Sequence, residues 1–180
     1  MQKAIGMIEF TSIARGIETT DFMVKAANVS LLKASTVCSG KYIVLIAGTT
    51  GDVKSSLAEG EKRAGEYFIN RLEIPNIHPQ LIPAICQTNP IPKAGAIGVL
   101  EFYSIASAIT AADVAAKAAN ITLLEVRIGY AIGGKGIVTL TGDVGAVRTA
   151  VKAAASKNAD LLLSTSVIPR PSPKLMETLY

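Results

Sequence analysis

Three observations predict two tandem α/β (α+β) domains, each an antiparallel sheet with helices packed against it. The first is a duplication. Ala4-Ile5-Gly6-Met7-Ile8-Glu9-Phe10 returns as Ala96-Ile97-Gly98-Val99-Leu100-Glu101-Phe102. The match runs on without a gap, through Lys25-Ala26-Ala27-Asn28 against Lys117-Ala118-Ala119-Asn120, to Leu31-Leu32 against Leu123-Leu124. Two copies spaced about ninety residues apart are too few and too long for a solenoid and read as a duplicated domain. The second observation is the order of patterns inside each copy: a short apolar run, a helical spacing, two more apolar runs, a second helical spacing and a last apolar run. The third is composition. The chain has 180 residues, 49% hydrophobic and 5% aromatic, and half of that length makes only a modest core, so burial against its sister or a neighbour is expected.

The elements follow in order. Lys3 to Phe10 is a mostly apolar strand, and Ser12 is placed to cap a helix over about Ile13–Ala27. Ile13, Ile17, Val24 and Ala27 fall on one face of that helix. Asn28, repeated at Asn120, stands where the helix must stop, and Asn tolerates the left-handed conformation of a C-terminal cap. Val29 to Val37 is a second strand, Val37-Cys38-Ser39-Gly40-Lys41 a short turn, and Tyr42 to Ala47 a third, buried strand. A second helix is expected over about Val53–Phe68, with Val53, Leu57 and Ala64 inward, and a fourth strand over Leu72–Ile74, stopped by Pro75. The proline-rich stretch from Ile77 to Lys93 reads as a tail and linker. The second copy repeats the order, with helices over about Ile105–Ala119 and Ala146–Ser156 and strands over Ile121–Ile128, Ile137–Thr141 and Leu161–Val167. The predicted division is a first domain over 3–88, a linker over 89–95 and a second domain over 96–180. One difference between the copies stands out. The turn around Cys38 becomes Gly129-Tyr130-Ala131-Ile132-Gly133-Gly134-Lys135, two residues longer and without the cysteine. Variation confined to one loop of a repeated scaffold marks the place where function concentrates.

Composition excludes several classes. The net charge is +4, but the basic residues are scattered, with no run of them and no interleaved aromatics. A nucleic-acid groove needs basic density on one face, so no nucleic-acid partner is expected. No apolar run approaches the roughly 20 residues of a spanning helix, so no membrane partner is expected, and the reading is a cytosolic protein with large subunit contacts. The two cysteines, Cys38 and Cys86, read as free thiols rather than a bridge. Cys86 is expected to be buried or half-buried, whereas Cys38 sits in a glycine-flanked turn beside Lys41, which exposes it and favours the thiolate. Glu9 and Glu101 occupy equivalent places in two repeats, which favours structural roles over paired acid–base work. His78 is the single histidine and follows no ligand spacing. Gly48-Thr49-Thr50-Gly51-Asp52 is no phosphate loop, because a carboxylate stands where the lysine is needed. No nucleophile–base set appears along the chain, and no enzyme is expected.

Ala4-Ile5-Gly6-Met7-Ile8-Glu9, then Lys25-Ala26-Ala27-Asn28, the Gly40-Lys41 turn, a Gly-Asp-Val, and Val167-Ile168-Pro169-Arg170-Pro171 together resemble the bacterial microcompartment (BMC) shell domain. Both halves match in the unpermuted order and cover nearly the whole chain. The resemblance is to tandem-domain shell proteins, whose ferredoxin-like-derived domains assemble as pseudohexameric homotrimers. Within them it is to the propanediol-utilisation type, which carries a [4Fe–4S] cluster on the trimer axis. It implies a tile in the shell of a cytoplasmic compartment, with other shell proteins as neighbours and, as a further partner, a lumenal redox enzyme. The resemblance also implies Cys38 as the metal ligand, one cluster per trimer. The surrounding pore loops are Val37, Ser39 and Gly40 from the first domain and Ala131, Ile132, Gly133 and Gly134 from the second. Three copies of one thiolate around a three-fold axis match three irons of a cubane. The Gly133-Gly134 loop is expected to stay clear of the axis. Lys25, Lys117 and Arg170 are implied at tile edges. Ile77-His78-Pro79 is read in place of Pro169-Arg170-Pro171 in the first copy. The alternative within the resemblance is a tile without a cluster, whose central pore conducts a small metabolite past Cys38.

Overall fold

Residues 3–90 and 95–179 are described by the computed structural model, so residues 91–94 of the expected linker lie outside the described residues. The first unit holds β1 (Ala4–Phe10), α1 (Ile13–Ala26), β2 (Ser30–Val37), β3 (Lys41–Gly48), α2 (Thr50–Ala64) and β4 (Phe68–Ile74). The second holds α3 (Leu81–Ile85), β5 (Ala96–Phe102), α4 (Ile105–Ala118), β6 (Thr122–Ile128), β7 (Gly136–Gly142), α5 (Val144–Lys157), β8 (Leu162–Ile168) and α6 (Pro173–Leu179). Each unit is a four-stranded antiparallel sheet, ordered β2-β3-β1-β4 in the first and β6-β7-β5-β8 in the second. A β-α-β-β-α-β path with that order is the ferredoxin-like arrangement, as expected.

The registers coincide. Met7 faces Leu45 and Leu72 across β1, and Val99 faces Thr139 and Ser166 across β5. The central strands carry the core. Ile8, Phe10, Val44 and Ile46 are sealed with Met23 of α1 and Val53 and Leu57 of α2. Each such side chain contributes about 1.5–3 kcal/mol by leaving water. The Ser56 hydroxyl, fully buried, donates to the Met23 carbonyl at 2.9 Å and ties α2 to α1. A reciprocal exchange fits α1 against its sheet. A Cβ on Gly16 would meet the Tyr42 ring at 2.5 Å. In the second unit the bulk is reversed: Ala108 takes the helix position and Gly136 the strand position, where a Cβ would meet the Ala108 Cβ at 2.4 Å.

The helix starts follow their caps. Ser12 Oγ accepts from Arg15 N at 3.3 Å, and Ser104 Oγ accepts from Ser107 N at 3.4 Å. α2 begins earlier than predicted, because Thr49 caps it through Asp52 N at 3.2 Å. It ends at Ala64 rather than Phe68, because Gly65 turns to φ 54 and the chain goes into a longer β4. Asn28 and Asn120 are not left-handed. The helices instead end as Ala27 and Ala119 swing to extended φ of −158 and −155. Val29 N and Ile121 N then donate back to the Ala27 and Ala119 carbonyls at 2.9 Å.

Two further differences concern the stretches after β4 and β8. Residues up to Ile77, with Tyr130–Gly134, form one compact unit, and His78–Gly129, with the residues from Lys135 on, form the other. There α3 lies against β6 and α4, which a proline-rich spacing did not reveal. α6 was likewise not expected. The ends of β4 and β8 are in register, since Ile74 faces Ile5 and Ile168 faces Ile97. Asn76 therefore occupies the place of Arg170, and Pro75-Asn76-Ile77, not Ile77-His78-Pro79, corresponds to Pro169-Arg170-Pro171.

Candidate functional site: the Cys38 turn and its amide cradle

β2 closes at Val37, which is buried, and β3 resumes at Lys41. Between them Cys38–Gly40 forms a single tight turn with Ser39 at φ 68 and Gly40 at φ 71. Left-handed backbone suits Gly40 and costs Ser39 roughly 1–2 kcal/mol. The turn is anchored at its base, where Lys41 Nζ lies 3.1 Å from Oε1 of the buried Glu9. Glu101 repeats this in the second unit with Lys135 at 2.5 Å. Both glutamates thus have the structural role expected of them.

The sulfur is half-exposed at the tip. Residues Tyr130–Gly134 group with the first unit, around this turn. Gly129 N donates to the Lys135 carbonyl at 3.1 Å and closes the loop, while Ala131, Gly133 and Gly134 take φ of 57, 65 and 76. Foremost the N–H of Gly134, then that of Ile132, with smaller help from Gly133 and Ala131, hold the Cys38 thiol below its ordinary range, against a partial loss of solvation. A Cβ on Gly134 would stand 3.9 Å from the Cys38 carbonyl, so the approach is close. Within the chain, then, the Gly133-Gly134 loop lies beside the Cys38 turn. The sequence signal was available in the two added residues and two glycines, but spacing does not say where a loop folds back.

The other candidates lie elsewhere. Lys25 and Lys117 close the last turns of α1 and α4, where a cation suits the helix dipole. Their ammonium groups stand 2.5 Å from Asp21 and Asp113 respectively. Arg170 is exposed in the bend after β8. Cys86 is exposed rather than buried, at the end of α3. His78 donates its backbone N–H to Asp113 at 2.7 Å and accepts at Nδ1 from Gln80 N at 3.3 Å, which leaves it a structural residue. Among the described residues no three His, Cys, Asp or Glu gather as a metal-holding group within one chain. No helix among the described residues is long and apolar enough to cross a membrane.

Two stretches, residues 4–77 and 96–171, match the BMC domain. The chain belongs to the BMC-domain family. BMC-domain relatives cover nearly its whole length. The bacterial microcompartment shell protein PduT of Citrobacter freundii is 43% identical over 173 residues, 95% of this chain and 94% of that protein. The crystal structure of a microcompartments protein from Desulfitobacterium hafniense DCB shares 45% identity, with a TM-score of 0.95 over 98% of this chain and 99% of that one. The fused permuted hexameric shell protein MSM0275 from the RMM microcompartment is more distant, at 25% identity and a TM-score of 0.61 over 90% of this chain and 84% of its own.

Proposed function

We propose that the chain is a shell tile of a bacterial microcompartment, assembling as a homotrimer of six BMC domains that carries one [4Fe–4S] cluster through Cys38 of each copy. The shell role is supported by the twofold BMC match and by PduT, a shell protein similar over 95% of the chain. The cluster is supported by the donor chemistry at Cys38. A lone sulfur cannot hold a cubane, but a three-fold axis multiplies it by three. The observation that carries this reading is the half-exposed Cys38 in its glycine turn beside the Ala131–Gly134 loop, whose backbone N–H groups lower the thiol pKa. Such donors favour the thiolate that ligation requires, and hydrogen bonds to ligand sulfur raise a cluster's reduction potential. When bound, the cluster supplies one-electron transfer. The protein's part is to hold the thiolates and to fix the amides against them, so that electrons cross the shell or a cluster is handed inward. Lys25, Lys117 and Arg170 are assigned to tile edges, facing other shell proteins. A redox enzyme inside the shell is the partner that a conducting tile would serve.

Anaerobic purification with iron and sulfide analysis, and EPR before and after dithionite, tests this. About four irons per three chains and a reduced-cluster signal are expected, both lost in Cys38→Ser while the trimer persists. A trimer that remains iron-free after anaerobic reconstitution overturns the redox tile and leaves a conducting pore.

A further inference from the structure

α2 and α5 are the same helix in two copies, but their charges differ. The strands before them are in register, since Gly48 faces Ala4 and Gly142 faces Ala96. The buried residues Val53, Ser56, Leu57 and Gly60 of α2 therefore correspond to Val147, Ala150, Val151 and Ala154 of α5. On α2 the acids Asp52, Glu59 and Glu61 balance the cations Lys54, Lys62 and Arg63. Arg63 bonds to Glu59 at 2.6 Å, Glu59 also attracts Lys62, and Glu61 bonds to Arg71 of β4 at 2.8 Å. On α5 those three acid positions are Ala146, Ala153 and Ala155, while Arg148, Lys152 and Lys157 remain. α5 thus holds three cations and no carboxylate.

The elements packed against α5 offer it nothing in exchange. On α4 the single acid is Asp113, which already takes Lys117 and the His78 N–H. On β5 the single acid is Glu101, held by Lys135. β7 and β8 carry no charged residue. Away from the core, the exposed face of α5 shows Gly145, Arg148, Thr149, Lys152 and Ser156. Two of these turn inward on their own helix: Thr149 Oγ1 donates to the Gly145 carbonyl at 3.0 Å and Ser156 Oγ to the Lys152 carbonyl at 2.9 Å. Only the two cations reach out from a surface of small side chains. They stand one turn apart, a spacing at which like charges repel.

We propose that the outer face of α5 is a docking surface for an acidic segment of a partner protein, with Arg148 and Lys152 as its contacts and Lys157 at one end. Charge complementarity selects the occupant. Arg148 offers a planar fork that takes a carboxylate through two N–H groups, and Lys152 adds a point charge one turn on. The extent of the strip selects a short segment. From Arg148 to Lys157 it spans about 13 Å, and exposed carboxylates stand just beyond both ends of the helix, at Asp143 and Asp160. A nucleic acid, with its continuous run of phosphates, would pass over both carboxylates, whereas a few acidic side chains fit between them. An anionic bilayer needs apolar side chains to enter it, and the large apolar side chain exposed on α5 is Val144, at its first turn. The surface is independent of the Cys38 cluster, and α2 is its built-in counterexample.

The test is fluorescence anisotropy of the full chain with a labelled, alanine-rich helical peptide whose glutamates lie four residues apart, and with the same peptide carrying glutamines instead. The glutamate peptide is expected to bind, more weakly as salt rises, and the glutamine peptide is not. R148E combined with K152E is expected to weaken binding by about tenfold or more. K54E combined with K62E on α2 changes the net charge equally and is expected to leave binding unchanged. All four side chains are exposed, so the fold is expected to persist by circular dichroism, and R148Q with K152Q, a milder pair, is expected to weaken binding in the same direction. Absence of binding to the wild type overturns the docking surface. Equal loss in the α2 pair, or equal binding of the glutamine peptide, overturns it too. The same protein is titrated with a single-stranded oligonucleotide and with phosphatidylserine vesicles. Binding of either that the α5 pair abolishes, with no binding of the acidic peptide, overturns the protein occupant.

Discussion

Cys38 differs from Cys86 by what surrounds it rather than by what precedes it in the chain. Its turn forces Ser39 and Gly40 into left-handed backbone, and the loop from Ala131 to Gly134 brings N–H donors to its sulfur. Hydrogen bonds that favour the thiolate lower the pKa, so the charged form gains at pH values where an ordinary thiol is protonated. In the metal-free protein, alkylation of Cys38 is therefore expected to reach half its maximal rate below the ordinary thiol value of 9.0. Gly134→Pro, which removes the foremost N–H and, unable to adopt φ 76, also displaces the loop, is expected to move that midpoint back up. The check is iodoacetamide labelling against pH in a Cys86→Ser background, and an unmoved midpoint in Gly134→Pro contradicts the amide origin. Cys38 itself was legible from the sequence as a thiol in a glycine turn. The donors were not, because they come from a loop more than ninety residues away in the chain.

The helices show how far local spacing reaches. Capping by Ser12 and Ser104 was legible because a cap bonds to a residue three positions on. The inward face of α1 was not. The buried residues are Gly16, Thr19, Thr20 and Met23, while the larger apolar residues Ile13, Ile17 and Val24 point outward. Apolar spacing identifies a stripe that wants cover and does not say whether the cover is the chain's own core or a neighbour. The tight approach behind α1 gives a stability prediction. Gly16→Ala adds a methyl against the Tyr42 ring, and its gain in helix propensity of about 1 kcal/mol is outweighed by overpacking of about 1–3 kcal/mol. A net loss is expected in urea denaturation. Thr49→Ala removes the cap of α2 and is expected to cost about 1 kcal/mol by the same measurement.

On the scale of the whole molecule, duplication explains the two domains and their shared registers. The segment after β4 reads as linker because prolines break its pattern, yet its middle folds as α3 and bonds to the edge strand of the second unit. Gln80→Ala strands the Leu123 N–H and the Ile121 carbonyl. A loss of about 1–3 kcal/mol is expected in the second unit. Hydrogen exchange is expected to show faster exchange in β6 and α4, with β1 to β4 unaffected. Faster exchange in the first unit instead would contradict the assignment of 78–89 to the second.

The sequence by itself determined the tandem duplication, the β-α-β-β-α-β order of each unit, the family, and Cys38 as the distinguishing side chain. All of these rest on identity or on periodicities that span a few residues. The tertiary structure decided three things that depend on residues distant in the chain. It placed the Ala131–Gly134 loop beside the Cys38 turn, it gave the post-β4 segment to the second unit, and it left the α1 face bare while sealing its α4 counterpart. Each is a matter of which surface finds a partner first within one chain, and repeat copies identical in pattern answer it differently because only one of them has a docking segment following it on the way to the other.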